Sequence, residues 1–145
     1  LKYDIETEER FVQLVRMSDL LLPSGEELEL AAGVEGEAAA VARLFELGPR
    51  EIVLKRGEEG ATCFLSDGTI ENSSAFQVDE LDPTGAGDCF GGAYVACRRL
   101  GMSVESALTY GNAAGARNVA VRGPMEGAGT LAELNRFIKT TKRLL

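Results

Sequence analysis

The sequence predicts an α/β fold, a doubly wound and mostly parallel sheet with a small antiparallel hairpin at one edge. Short continuous apolar runs at residues 20–22 and 51–54 are typical of buried parallel strands. These runs alternate with segments of helical apolar spacing, a pattern that favours helices layered on a sheet. Asp67-Gly68 lies between two extended runs and indicates a hairpin turn.

Local sequence signals predict the bounds of each helix and strand. Apolar spacing and end signals predict helices over residues 6–17, 27–32, 37–47, 86–100, 104–110, 111–121 and 131–144. Extended runs predict strands at residues 20–22, 51–54, 61–65, from residue 70 onward, and at 75–78. Pro23 ends the first strand, Gly48-Pro49 ends the third helix, Gly101 follows the helix that begins at residue 86, and Ser103 caps the next one.

The composition is typical of a globular protein and argues against several classes of protein. With 145 residues, 45% of them apolar and 26% charged, the chain is sized for one globular domain. No window reaches the roughly 20 apolar residues of a membrane span, and no basic leader followed by an apolar stretch indicates a signal peptide. The net charge of −8 argues against nucleic acid as a partner. The missing initial Met suggests a cut or processed chain.

The numbers of cysteines and histidines exclude several kinds of catalytic site. Cys63, Cys89 and Cys97 are odd in number and lack close CxxC spacing, which indicates buried thiols in a reducing cytoplasm. The chain has no histidine, so Ser-His-Asp and Cys-His catalysis and most zinc chemistry are excluded. Any acid–base work must fall to carboxylates or lysines.

The most informative stretch is Asp82-Pro83-Thr84-Gly85-Ala86-Gly87-Asp88, followed by a small-residue helix. The Gly-Ala-Gly turn exposes backbone N–H groups at a helix start, where the helix dipole also favours anions. A carboxylate there would repel a bound phosphate, so Asp88 is the better candidate for a general base that acts on the attacking hydroxyl. The alternative is that Asp88 is only an N-cap. The stretch therefore points to phosphoryl transfer to a hydroxyl.

This stretch resembles the C-terminal signature of the ribokinase-like, or phosphofructokinase-B type, carbohydrate kinases. The resemblance implies that the amides of Gly85, Ala86 and Gly87 form an anion hole for the transferred phosphate of ATP, and that Asp88 deprotonates a sugar hydroxyl. It also implies a cytoplasmic enzyme with a small-molecule sugar substrate and no membrane or nucleic-acid partner; a homodimer stays open.

The resemblance assigns further residues one by one. Lys55, Gly57 and Gly60 match the loop that borders the nucleotide, and Asn112 matches the position against the adenine. For these, plain turn glycines and a surface asparagine at a helix start are the alternatives.

Two cation sites follow from the same resemblance. Ser24 and Glu27 stand where the family has Asn-x-x-Glu, which helps to hold Mg²⁺ and phosphates through water. Ser24 departs from that pattern, and a capping box with Ser24 as N-cap and Glu27 at N3 is the alternative. Asp82 and residues 122–127 resemble the segment that encloses a monovalent cation such as K⁺.

The resemblance covers the C-terminal half of a family member, so residues 1–145 are expected to form the nucleotide-binding and catalytic portion. The N-terminal sugar-binding half and lid are expected to be absent, and an uncovered sheet edge would invite association. The predicted function is ATP-dependent phosphorylation of a sugar or sugar-acid hydroxyl, and residues 123–127 suggest a ketose or sugar-acid branch. The alternatives are an inactive nucleotide-binding fragment or binding module, and a nucleoside kinase of the same fold.

Overall fold

The computed structural model of the chain describes residues 5–144, with side chains from residue 9 onward. The helices are α1 (Ile5–Arg16), α2 (Glu27–Ala32), α3 (Glu37–Leu47), α4 (Ala86–Arg99), α5 (Val104–Val119) and α6 (Leu131–Thr140). The strands are β1 (Leu20–Leu21), β2 (Glu51–Lys55), β3 (Ala61–Leu65) and β4 (Ile70–Ser73), and a 3₁₀ turn spans Gly57–Glu59. None of the described helices is both long and apolar enough to cross a membrane.

The strands form one four-stranded sheet in the order β1-β2-β3-β4. Strand β1 runs parallel to β2, with Leu20 opposite Glu51. Strands β3 and β4 are consecutive, and the Asp67-Gly68 turn joins them, with Gly68 at a φ of 91° and the Asp67 side chain accepting from the Thr69 N–H at 2.9 Å. The predicted α/β class and the hairpin at one edge of the sheet are confirmed.

The chain forms two compact units. Of the described residues, the first comprises those up to Leu54 together with Cys63–Ile70, and the second comprises Lys55–Thr62 and those from Glu71 onward. In the first unit, apolar residues of α1, α2 and α3 pack with those of the neighbouring strands: Val15, Leu28, Ala32, Ala40, Val41, Leu44, Leu47, Ile52 and Leu54. The second unit buries a separate cluster of Phe76, Cys89, Ala113, Ala114 and Leu134.

Small residues let α4 and α5 approach closely within the second unit. A Cβ at Gly111 would lie 2.9 Å from a ring carbon of Phe90, so this ring occupies the space that a side chain would take. The prediction of separate helices over residues 104–110 and 111–121 is wrong, because Gly111 continues one helix whose packing outweighs the weak helix propensity of glycine. Ser103 caps this helix as predicted and accepts from the Ser106 N–H at 3.2 Å.

The end of the chain also differs from the prediction. Residues 75–78 do not form a regular strand, and the last helix stops at Thr140 instead of reaching residue 144. Phe76 instead makes a lone antiparallel bridge to Arg143. The Gln77 N–H donates to the Lys142 carbonyl at 2.8 Å, and the Leu144 N–H donates to the Ala75 carbonyl at 2.9 Å. Pairing with residues 75–77 supplies the backbone partners that another helical turn would have supplied.

Candidate active site

Helix α4 begins in a backbone conformation that requires glycine. Its N-cap is Gly85, with a φ of 76° and a ψ of 0°. A Cβ on Gly85 would overlap the Pro124 carbonyl group and lie 2.6 Å from its carbon. The segment around Pro124 therefore packs directly on the turn that starts the helix, and any side chain at residue 85 would meet this segment.

The first-turn N–H groups of α4 are partly used within the turn. The Ala86 N–H donates to the Pro83 carbonyl at 3.2 Å, and the Cys89 N–H donates to the Gly85 carbonyl at 2.9 Å. Because a helix offers no internal acceptor to its first N–H groups, the amides of Gly87 and Asp88 are the ones that remain for an anion. Of the predicted anion hole, Ala86 thus donates within the turn, whereas Gly87 keeps its N–H for a ligand.

Asp88 occupies the third position of α4, and its side chain is exposed. The alternative that Asp88 is an N-cap is wrong, because Gly85 takes that position and no side-chain cap hydrogen bond forms there. An acid in the first helical turn gains only about 0.3–1 kcal/mol from the helix dipole. A catalytic role of Asp88 stays a prediction.

Lys55 brings a positive charge to the same helix start. Its Nζ lies 3.2 Å from the position that a Cβ on Gly87 would occupy. An ammonium group and the positive end of a helix dipole repel each other unless an anion lies between them. Their proximity therefore favours an anion such as a phosphate at the start of α4.

A pocket of about 360 Å³ opens beside this helix start, wholly within the second unit. Pockets of roughly 300–1,000 Å³ are typical of small-molecule sites. Its lining comprises Lys55, Gly57, Glu58, Gly60, Ala75, Phe76, Gln77, Val78, Glu80, Ala86, Gly87, Phe90, Asn112, Gly115, Ala116, Val119 and Leu144. The structure thus brings the four nucleotide-binding residues predicted in this unit to one pocket, together with two residues of the predicted anion hole.

Gly57 and Gly60 are turn glycines that also line the pocket. Both have positive φ, of 57° and 95°, as turn glycines do. A Cβ at Gly60 would lie 2.8 Å from the Ala75 nitrogen, so the close approach of the chain at residue 75 requires glycine there. At Gly57 a Cβ would meet nothing within 4 Å, which leaves that backbone open to a ligand.

Asn112 is buried in the middle of α5, so the alternative of a surface asparagine at a helix start is wrong. Its Nδ2 donates to the carbonyl of Ser73 at 2.9 Å and to the carbonyl of Ser74 at 3.3 Å. It also lies 3.1 Å from the Ser73 hydroxyl. The NH₂ group of Asn112 therefore binds residues 73 and 74, directly before Ala75 in the pocket lining.

Ser24 and Glu27 belong to the first unit, where they follow β1 and begin α2. The Glu27 carboxylate accepts from both the N–H and the hydroxyl of Ser24, each at 2.6 Å. The alternative of a capping box with Ser24 as N-cap is wrong, because Glu26 is the N-cap and Glu27 is the first residue of the helix. The hydrogen bonds from Ser24 to the Glu27 carboxylate correspond to the reverse half of such a box.

Asp82 ties two loops together. Its carboxylate accepts from the Thr84 N–H and from the Gly123 N–H, each at 3.0 Å. Hydrogen bonds from the Thr84 hydroxyl and N–H and from the Gly123 N–H lower the pKa of Asp82 below its ordinary value. The structure thus brings together the two segments predicted to enclose a monovalent cation, with N–H donors on both carboxylate oxygens.

Sequence reasoning missed Asn118, which is fully buried. Its Nδ2 donates to the Thr84 carbonyl at 2.7 Å, and its Oδ1 accepts from the Gly127 N–H at 3.2 Å. Asn118 therefore joins the loop that contains Thr84 and Gly85, called the anion loop below, to the segment around Pro124 that packs on Gly85. A polar residue in a small-residue helix was the available signal, but its partners come from distant parts of the sequence.

The three cysteines are free and buried, as predicted. Burial raises the pKa of the Cys89 thiol, and the carboxylates of Asp88 and Glu126 raise it further. In the part of the chain that the structure describes, no three Cys, Asp or Glu side chains gather into a cluster that could hold a metal ion by themselves. A single carboxylate such as Glu27 is compatible with Mg²⁺, which commonly takes one or two carboxylates together with substrate phosphates.

Residues 2–130 match the pfkB family of carbohydrate kinases. The chain belongs to this family, as the resemblance predicted. It is 32% identical to a 5-dehydro-2-deoxygluconokinase of Clostridium tetani over 88% of its own length and 39% of that protein. It is 34% identical to a 2-dehydro-3-deoxygluconokinase of Thermoproteus tenax over 83% of its length and 37% of that protein. The chain thus spans less than half the length of the curated relatives it matches.

Solved structures agree with this assignment. An E. coli protein described as a ribokinase II, in complex with ATP and Mg²⁺, superposes with a TM-score of 0.88. It is 40% identical, over 92% of this chain and 43% of that one. An Arabidopsis thaliana ribokinase complexed with ribose and ATP gives a TM-score of 0.81 at 27% identity, over 88% of this chain and 43% of that one. The ribokinase-like fold is therefore confirmed.

Proposed function

We propose that this chain forms the nucleotide-binding and phosphoryl-transfer portion of an ATP-dependent kinase that acts on a hydroxyl of a sugar or sugar acid. The observation that carries the proposal is the start of α4, where Lys55 Nζ and the Gly87 backbone meet at the edge of the pocket. Asp88 follows in the same helical turn. Anion binding and a carboxylate base are two of the elements that phosphoryl transfer to a hydroxyl uses.

Each group of residues has a separate proposed role, which follows from its chemistry. Lys55 and the first amides of α4 hold and neutralise phosphate oxygens, because they place positive charge and N–H donors at one point. The apolar and glycine-rich wall with Asn112 accepts the nucleoside. Asp88 accepts the proton of the attacking hydroxyl on its carboxylate. It can do so without a hydrogen-bond donor beside it in the protein before the substrate binds.

For the cations, we propose that Glu27 holds Mg²⁺ through water and that Asp82 with residues 122–127 surrounds a monovalent cation such as K⁺. Mg²⁺ would neutralise charge on the phosphates during transfer. The carboxylate of Glu27 is held in place by Ser24, and that of Asp82 by Thr84 and Gly123.

The names of the relatives support a narrower acceptor class. Two of the similar proteins are kinases of dehydro-deoxy-gluconate compounds. We therefore propose a keto sugar acid or a related ketose as the acceptor. An assay of the intact protein with keto sugar acids, ketoses, aldoses and ribosides tests this proposal, and exclusive use of ribosides would contradict it.

The proposed base is tested by Asp88→Asn. This change keeps the size of the side chain but removes its ability to accept the hydroxyl proton. The expected loss in kcat is about 10²–10⁴-fold, with the KM for ATP nearly unchanged, because the carboxylate matters chiefly as the proton moves. Steady-state kinetics with the acceptor found above provide the measurement.

Glu105→Gln is the matched control, because Glu105 is an exposed acid in the first turn of α5 and does not line the pocket. It should leave both kinetic constants unchanged. If Asp88→Asn kept more than about a tenth of the turnover, the loss would be below that of a general base, and Asp88 would not be the base.

Lys55→Met tests the phosphate site without any acceptor. Calorimetric titration should show a loss of ATP affinity of about tenfold or more, since a hydrogen bond to a charged group contributes roughly 1.5–3 kcal/mol. Folded protein that gave no heat with millimolar ATP would refute nucleotide binding at this pocket.

A further inference from the structure

Arg143 is fixed beside the pocket by several independent contacts in the second unit. Its Nη1 donates to the Ser73 hydroxyl at 3.1 Å, and its Nη2 donates to the Thr109 hydroxyl at 2.8 Å. Its guanidinium carbon lies 4.9 Å from the centre of the Phe76 ring, a cation–π distance. The backbone bridge between Phe76 and Arg143 holds the same pair from the main chain. Such a side chain has little freedom to reorient.

Arg143 and Asn112 converge on the same groups. The Ser73 hydroxyl lies 3.1 Å from Asn112 Nδ2 and 3.1 Å from Arg143 Nη1. The Ser74 carbonyl is likewise 3.3 Å from Asn112 Nδ2 and 3.4 Å from Arg143 Nη1. Since a guanidinium group can only donate, the Ser73 hydroxyl oxygen must act as an acceptor toward Arg143. Arg143 thereby holds the acceptors that Asn112 uses.

These acceptors decide which way the Asn112 carboxamide faces. Two of them are backbone carbonyls, of Ser73 and Ser74, and a carbonyl cannot pair with the amide oxygen. The NH₂ side must therefore face Ser73 and Ser74. Oδ1 is the polar atom that Asn112 has left, and Asn112 lines the pocket. The pocket wall thus presents an acceptor here and not a donor.

We propose that Arg143 is a positioning residue that, through Ser73 and Ser74, locks the Asn112 carboxamide with its oxygen toward the ligand. The pocket then selects a nucleobase that offers an amino group at this point over one that offers a carbonyl oxygen. This inference rests on the proposed nucleotide site. It adds that the selectivity for adenine depends on a residue that touches the pocket wall and not the nucleotide.

The test compares ATP with inosine triphosphate, which replaces the 6-amino group of the purine by a carbonyl oxygen. Dissociation constants are measured by calorimetric titration of the wild-type chain and its variants. The wild type should bind ATP about tenfold more tightly than inosine triphosphate, since one hydrogen bond is lost and two acceptors face each other. Arg143→Leu should reduce that ratio to below about threefold, and Ser73→Ala, which keeps both carbonyl acceptors of Asn112, should reduce it by less.

Two further variants separate positioning from general damage. Arg143→Lys keeps one donor and the charge over Phe76, so it should retain part of the ratio. Arg136→Leu is the matched control, since Arg136 is exposed on α6 and lines no part of the pocket. It should leave the ratio unchanged. Circular dichroism establishes that each variant is folded.

The outcomes are distinct. If Arg143→Leu and Ser73→Ala weakened ATP and inosine triphosphate by the same factor, Arg143 would be merely structural and the inference would be overturned. A wild type that bound both nucleotides tightly and equally would also overturn it, while the proposed nucleotide site would stand. Folded wild-type protein that bound neither nucleotide would overturn the proposed function and this inference with it.

Discussion

Replacing Gly85 by alanine should destabilise the protein through two separable effects. An L-residue at a φ of 76° costs about 1–2 kcal/mol. The new Cβ would also lie 2.6 Å from the Pro124 carbonyl carbon and 2.8 Å from its Cα, well inside ordinary van der Waals contact. Relieving such an overlap by backbone shifts costs about 1–3 kcal/mol. The expected total is about 2–5 kcal/mol, out of a typical net stability of about 5–15 kcal/mol.

Two other glycines serve as controls, one with the conformational effect alone and one with neither effect. Gly101 has nearly the same φ, 79°, but a Cβ there would meet nothing within 4 Å, so Gly101→Ala should cost only the conformational part. Gly92 lies inside α4 with equally open space, and Gly92→Ala should stabilise the protein by roughly 0.5–1 kcal/mol. Urea unfolding followed by circular dichroism gives the three free energies. If Gly85→Ala cost no more than Gly101→Ala, the close packing of Pro124 on the helix start would be refuted.

Three further changes follow from individual contacts. Thr130→Ala removes the capping box of α6 and should cost about 1 kcal/mol in urea unfolding; no loss would contradict the box. Asn118→Leu leaves the Thr84 carbonyl and the Gly127 N–H without their buried partner, so it should cost about 2–6 kcal/mol and weaken ATP binding in calorimetric titration; an unchanged ATP affinity would show that Asn118 does not position the anion loop. Asp82 has a folded-state pKa below its ordinary 3.8, so the stability that it contributes is present above that pH and is lost as the pH falls through the lower value. Asp82→Asn should therefore flatten the acid side of a stability–pH curve, and an unchanged curve would contradict the contacts with Thr84 and Gly123.

Local signals predicted those parts of the fold whose cause is local. Asp67-Gly68 fixes its turn by its own backbone preferences, and Ser103 caps α5 with a side chain three residues away. The same kind of signal at Thr130 and Glu133, a complete capping box, was present in the sequence and was overlooked. These features need no tertiary information.

The wrong predictions have non-local causes. Gly111 suggested a helix boundary, but the Phe90 ring packs against it and keeps α5 continuous. The last helix stops at Thr140 because residues 142–144 pair with residues 75–77, which lie 65–69 residues earlier in the chain. The extended run at residues 75–78 gives no sign that residues 142–144 are its partner, since short isolated pairings are set by what lies opposite.

The candidate site shows the same division. The motif around Gly85 and Asp88 predicted an anion site from residue types alone, because glycine and a helix start suffice for it. The contact of Pro124 with Gly85 could not be predicted, nor could the bridge from Asn118 to Gly127, because both depend on how α5 returns to the first turn of α4. Sequence motifs therefore predicted where the chemistry would lie, and the structure identified the residues that hold this candidate site in place.

The two proposals for the pocket assign recognition to different residues. Lys55 is proposed to act beside Gly87 on phosphate, and Arg143 through Ser73 on the nucleobase; among the described contacts the two cations share no partner. Changes at sites without shared partners usually add within about 0.3–0.5 kcal/mol. Lys55→Met should therefore weaken ATP and inosine triphosphate equally, and Arg143→Leu should change their ratio. The double variant should show both effects at full size. A double-mutant cycle with a coupling well above about 0.5 kcal/mol would mean that the base wall and the phosphate site move as one element.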